Sequence, residues 1–322
     1  VSVALALHRG LAPALDGLAA ALEAKAAEFA AIVKIGRTHL MDATPLTLGQ
    51  EFSGYAAQAR KAAARARRGV AALEELAVGG TAVGTGLNAA PGFAVRVCRL
   101  LATETGLPFR EAANHFEAQG ARDDCVEVAG LLGAVAAGLT KIAADIRLLG
   151  SGPRAGLGEL RLPATQPGSS IMPGKVNPVM SEMLIQTCLY AQGLAQTVAF
   201  CGRDGQFELN VTIPLIAYCL HESIGCLARA TRLFTERCVA GLEADAARCR
   251  ELVDRSLMLV TALNPFIGYD RAAAVAKEAH ASGRSLREIV LEQKLMDPAA
   301  LDRALDPAAM TRPSAPPRPA AG

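Results

Sequence analysis

Leu11, Leu15, Leu18, Leu22, Phe29 and Ile32 step along the chain by four, three, four, seven and three, which places them on one face of a long helix. A second helix is expected from about Leu46 to Leu76, with Leu48, Phe52, Tyr55, Val70 and Leu73 partly buried. A third spans about 124–149 and carries Val128, Leu131, Leu132, Val135, Leu139, Ile142 and Ile146. Two further apolar stretches cover about 179–201 and 211–238. A chain that is 51% hydrophobic but only 4% aromatic, with no Trp, packs through Ala, Leu and Val, which favours helices over a sheet. The expected fold is all-α: a long-helix central bundle over residues 1–240, apolar on enough sides to pack against other subunits. Shorter, more charged segments follow from about Gly241, so residues 241–310 are expected to form a small helical C-terminal domain. Residues 311–322, "TRPSAPPRPAAG", form a Pro/Ala-rich tail expected to be disordered.

A net charge of +2 gives no global electrostatic reason to bind nucleic acid or an acidic membrane. The basic run "RKAAARARR" at 60–68 spreads its charge around a helix without interleaved aromatics, which is the pattern of a solvated face. The eight cysteines are scattered and form no CxxC pair, so they read as reduced thiols, several of them buried. "VSVALALHRG" lacks the basic leader and cleavage pattern of a signal peptide. No uninterrupted apolar stretch reaches the roughly 18 residues of a membrane span. A soluble, cytoplasmic protein is expected, without metal or cofactor. His221 and His280 are read as structural or exposed.

Against this helical background "GSSIMPGKVNP" (168–178) stands out as a loop, because Gly and Pro interrupt helices. It gathers a cation, an amide and two hydroxyls, the groups that anion binding needs. It is not a phosphate-binding P-loop: five residues separate Gly168 from Gly174, and Val176 stands where Ser or Thr should follow Lys175. "GTGLNA" (84–89) matches a dinucleotide fingerprint, but its helical surroundings favour a glycine-rich inter-helix loop. A second polar segment, "GRTHLMDATP" (36–45), is expected to end the first long helix and carries Arg37, Thr38, His39 and Asp42. On its own it reads as a helix cap and a buried histidine. Together with the 168–178 loop and Glu182 it supplies parts for proton chemistry beside a carboxylate.

"GSSIMPGKVNP" resembles the signature of the fumarase/aspartase superfamily, and "GRTHLMDATPLTLGQE" resembles its second shared region. "GGTAVGTGLN", "LTKIAADIRLLGSGPRAGLGEL", "FELNV" and "SLMLVTALNPFIGY" are similar to class II fumarases or aspartases too. The resemblance therefore runs from residue 30 to about 312. It implies a homotetramer whose central helices form one bundle, with each active site assembled from three subunits. It also implies elimination of water or ammonia from a four-carbon dicarboxylate, through a proton removed next to a carboxylate.

By that resemblance Ser169 is the base, acting as an oxyanion stabilised by backbone N–H groups and positive charge. Gly168 and Gly174 let the backbone approach closely. Lys175 and Asn177 bind substrate carboxylate, Thr38 hydrogen-bonds substrate or leaving group, and Ser170 orients the loop. His39, paired with Glu182, handles a proton or positions water. The family's third shared region, a Ser-Ser-Asn-Asp stretch before the first long helix, has no counterpart in the sequence, which resembles the last two-thirds of such an enzyme. "AANHFEAQ" and "GQFELNV" resemble fumarases, and His39 stands where some aspartases carry Gln, so malate/fumarate is favoured over aspartate as substrate. The alternative from another class is a helical scaffold that oligomerises without turnover.

Overall fold

The computed structural model describes residues 1–166, 168 and 171–313. The chain forms two compact units. The first comprises Val1–Glu23, Tyr55–Leu157 and Leu162–Leu242; the second gathers Ala24–Gly54, Gly158–Arg161 and the chain from Glu243. The sequence-based division near residue 241 follows chain order, whereas the second unit also takes in two distant segments. Remote strand pairing with Glu243–Ala244 brings in residues 158–161, and packing of the 33–47 hairpin against Ala246–Arg255 brings in residues 24–54; composition carries no record of either.

The first unit is built on long helices. It holds α1 (Ser2–Ala6), a π-helical turn over Leu7–Leu11, the start of α2 (Ala12–Glu28) and most of α3 (Leu48–Ala72). It also holds α4 (Phe93–Thr105), α5 (His115–Gly120), α6 (Asp123–Leu149), α7 (Val179–Gly202) and α8 (Ile213–Arg237). On α6 the buried positions Val128, Leu132, Val135, Leu139, Ile142, Ile146 and Leu149 alternate in steps of three and four. Ser181, Leu184, Cys188 and Ala191 keep the same rhythm on α7, as do Ile216, Leu220, Ser223, Leu227, Ala230 and Phe234 on α8. A seven-residue repeat of this kind makes neighbouring helices pack side by side, and α7 lies against both α6 and α8. By length and composition α6 is apolar enough to cross a membrane, but its apolar stripe is buried inside this unit. The basic run on α3 is drawn into ion pairs: Arg60 reaches Glu23 at 2.7 Å and Asp16 at 3.5 Å, and Arg67 also pairs with Asp16. Two two-residue strands, β3 (Glu75–Leu76) and β4 (Arg110–Glu111), pair in parallel within this unit.

In the second unit the sequence reading of residues 36–45 is corrected. The first long helix ends at Glu28, and the segment forms an antiparallel hairpin of β1 (Val33–Thr38) and β2 (Met41–Thr47). Ile32, Val33, Ile35, Thr38, Thr44 and Thr47 are β-branched and favour extended backbone, which the helical periodicity ending at Ile32 obscures. Entry into α3 is fixed by reciprocal capping. Thr47 Oγ1 accepts from Gln50 N at 3.0 Å, and Gln50 Oε1 accepts from Thr47 N at 2.9 Å. The rings of Phe29 and Phe52 meet edge to face at 5.2 Å, joining the end of α2 to the start of α3. Strand β5 (Leu160–Arg161) pairs with Glu243–Ala244. The C-terminal helices close a small core of Leu263, Val275, Ala279, Ile289, Val290 and Leu301. Residues 314–322 of the expected tail lie outside the described residues.

Candidate functional site

Thr38 and His39 sit at the exposed tip of the β1–β2 hairpin. Thr38 pairs with Met41, so His39 and Leu40 form a two-residue turn, with φ of 56° and 63°. Positive φ at both central residues is the type I′ geometry that matches strand twist and normally draws Asn-Gly. Here two residues with bulky side chains occupy it, at a steric cost of about 1–2 kcal/mol each. Strain of this order persists only where the surrounding structure holds it. The turn leaves Leu40 and Met41 exposed beside the imidazole. His39 is therefore exposed at a strained tip and is not the buried histidine of a helix end.

The base of the hairpin is held by charge. Arg37 donates to Glu159 through three hydrogen bonds of 3.0 Å, and Lys34 Nζ stands 3.3 Å from the same carboxylate and 3.1 Å from Glu51. Glu159 has no exposed surface and Lys34 is 1% exposed. Two cations and two carboxylates thus balance in a dry setting. Its dryness shows in Cys249, packed on the backbone of Glu159, whose thiol is pushed up to about 12 by burial and then by the Glu159 charge. Sequence reasoning singled out Arg37 but missed Lys34, Glu51 and Glu159. The signal for Glu159 lay in "AGLGEL", an acidic residue in an otherwise apolar and glycine-rich segment.

The 168–178 loop lies in the first unit. Gly168 approaches the Lys175 carbonyl so closely that a Cβ would overlap it, and Gly174 has a φ of +81°. Lys175 N donates to the Met172 carbonyl at 3.2 Å, closing a turn that contains Gly174. Lys175 is exposed, and Ile171, Met172 and Val176 also face outward in the single chain. Asn177 is half-buried and lines a small cavity with Leu162, Pro163, Ser181 and Arg237. Beneath it, burial pushes the Cys238 thiol up to about 12, with Ser181 opposing the shift. Glu182, in the first turn of α7, lies 3.5 Å from Arg147 of α6. Lys175, Asn177 and Glu182 thus share one loop-to-helix junction, while Thr38 and His39 belong to the other unit. Ser169 and Ser170 lie outside the described residues.

Three more motif segments meet in the first unit. The glycine-rich stretch 79–92 is a loop between α3 and α4, with positive φ at Gly79, Thr81, Gly84, Gly86, Asn88 and Gly92. Gly84 packs against the Phe116 ring, and Gln119 Nε2 donates to the Thr81 carbonyl at 3.4 Å. His115 Nε2 lies 3.1 Å from the Val78 carbonyl. "AANHFEAQ" therefore clamps the glycine loop. In "GQFELNV", β6 (Gly205–Gln206) pairs with β7 (Leu209–Asn210), and Gly120 lies against the Phe207 carbonyl. Asn210, fully buried, donates to the Cys201 carbonyl at 3.0 Å and accepts from Thr212 N at 2.9 Å, so it locks the α7–α8 corner. His221 bonds Ser2 Oγ at 2.9 Å, and His280 is exposed. Among the described residues no group of three or more His, Cys, Asp or Glu is placed to hold a metal ion.

Residues 1–193 match the lyase family, and residues 259–312 match the fumarase C C-terminus. The class II fumarate hydratase of Methylorubrum extorquens is 53% identical over 98% of this chain and 67% of its own length. That of Thermosynechococcus vestitus is 54% identical over 94% of this chain and 65% of its own. The crystal structure of a class II fumarase from Schistosoma mansoni superposes with a TM-score of 0.92 at 39% identity, covering 96% of this chain and 68% of that one. The chain spans about two thirds of the length of the curated relatives it matches. Its signature loop, its strained Thr38–His39 hairpin and its helical bundle all fall within the matched span, and the chain belongs to the class II fumarase family of lyases.

Proposed function

We propose that this chain carries the lyase machinery that interconverts (S)-malate with fumarate and water. The observation that carries this reading is identity above 50% to class II fumarate hydratases across nearly the whole chain, both shared motif segments included. Ser169, as an oxyanion, takes a proton from the carbon next to one carboxylate. The electron pair left on that carbon is delocalised into the carboxylate and then forms the double bond, as the C–O bond on the neighbouring carbon breaks. The departing hydroxide takes a proton and leaves as water. Lys175 and Asn177 bind the carboxylate on which negative charge accumulates, where a fixed cation and an amide are most effective. Thr38 hydrogen-bonds substrate, and His39, working with Glu182, handles the proton of the leaving water.

A single chain presents Lys175, Asn177 and Glu182 on one unit and Thr38 and His39 on the other. We assign the assembled site to a homotetramer in which copies contribute different segments. Leu189, Tyr190 and Phe200 on α7, with Leu215, Tyr218 and Leu233 on α8, are exposed in the single chain, which supports burial against further copies. A cytoplasmic location is part of the same reading. Replacing Ser169 by Ala tests it: turnover of malate is expected to vanish while helical circular dichroism stays. Unchanged turnover in that variant, or helicity lost with it, would count against Ser169 as the base.

A further inference from the structure

We propose that Glu159, acting through Arg37 and Lys34, is a positioning residue that fixes the register of the β1–β2 hairpin and so sets where Thr38 and His39 stand. The inference rests on the role proposed above for those two residues. It starts from a weakness in the hairpin. A two-stranded ribbon is marginal alone, and its register is secure only where something outside it decides which face each residue takes.

The register of this hairpin shifts between Ile35 and Arg37, where Ala43 and Thr44 of β2 stand opposite Gly36 of β1. Gly36 sits so close to the Thr44 carbonyl that a side chain there would collide with it. A bulge of this kind, carried here by β2, bends the ribbon and raises its local twist, which turns the end of the hairpin that holds Arg37, Thr38 and His39. Slipping the pairing by one residue would send Arg37 to the opposite face and take Thr38 and His39 with it. The three 3.0 Å hydrogen bonds from Arg37 to Glu159 form only in the observed register, because the carboxylate is buried and fixed from one side.

Stability alone is a poor reason for such a cluster. Buried ion pairs can often be replaced by apolar side chains without loss, and their best-attested use is to specify one arrangement over its neighbours. Lys34, on the same strand, makes the specification two-point. It lies 3.3 Å from Glu159 and 3.1 Å from Glu51 at the start of α3.

The test compares Glu159→Gln, Arg37→Gln and the double variant in the full chain. The protein has five histidines, so the His39 ring signals can be assigned by NMR from the His39→Asn spectrum. Glu159→Gln is expected to shift or broaden the His39 signals and leave those of His8, His115, His221 and His280 in place. Turnover should fall by about 10²-fold, the scale of a misplacement near 1 Å. The double variant should lose no more than the worse single one, because both break the same contact. Should Glu159→Gln fail to fold, Glu159→Asp keeps the charge but shortens its reach, and an intermediate shift of the His39 signals is expected. Unmoved His39 signals in whichever variant folds would overturn the positioning role. Absence of fumarate turnover by the unaltered chain would instead sink the proposed reaction, leaving the NMR result to decide this inference.

Discussion

Gly168 lies against the backbone carbonyl of Lys175, so closely that a β-carbon at residue 168 would overlap the oxygen. This contact brings residue 168 against the Lys175–Asn177 segment, which leads into the N-terminus of α7. Gly168→Ala must open the loop, because backbone and not a flexible side chain is the obstacle. Turnover is expected to drop by about 10²-fold with helicity intact, as measured by initial rates and circular dichroism. A loss below threefold would mean that the loop's closure is irrelevant to the chemistry.

Lys175 is exposed and takes its place from the turn that Met172 closes. If it binds the carboxylate throughout the reaction, Lys175→Ala removes charge from ground state and transition state alike. KM should rise and kcat should fall together. Unchanged kinetics would remove Lys175 from the binding site.

His39 is exposed at a strained turn. His39→Asn keeps a residue that tolerates positive φ, so the turn is expected to survive the change. Activity should fall by roughly 10²–10⁴-fold, the range of a general acid or base. A loss below threefold, with the melting temperature lowered, would make the residue structural.

The long helices were legible because a repeat of three and four apolar steps has one physical meaning. The buried stripes of α6, α7 and α8 follow it. The β1–β2 hairpin was not legible, because Phe29 and Ile32 continue the helical spacing up to the point where β-branched residues take over. The signature loop was recognisable from its glycines, lysine and asparagine. Glu159 was hidden, since its partners Lys34 and Arg37 lie more than a hundred residues away in sequence. Spacing reports on residues that share an element, and a nonlocal charge cluster leaves no period to read.

Burial pushes the thiol of Cys188 up to about 11 and those of Cys238 and Cys249 up to about 12, from an ordinary value of 9.0. Above that ordinary value the unfolded chain releases these protons while the folded one keeps them. The unfolded state then binds fewer protons, so stability falls with rising pH. The contribution is full below about pH 9 and is lost between there and about pH 11–12. Urea midpoints are expected to be flatter with pH in Cys238→Ala than in the unaltered chain over this window. Identical slopes would contradict the burial of that thiol.

The exposed apolar residues of α7 and α8 carry an expectation about assembly. Light scattering should give a mass several times that of one 33.4 kDa chain. A stable monomer would remove the basis for a site shared between copies.

The central claim is the reaction, and the absorbance of the fumarate double bond reads it directly. The full chain is given malate in one cuvette and aspartate in another. The account expects absorbance to rise with malate, not with aspartate, and the rise to disappear in Ser169→Ala. A rise with aspartate, a rise that survives loss of Ser169, or none with either substrate would contradict it.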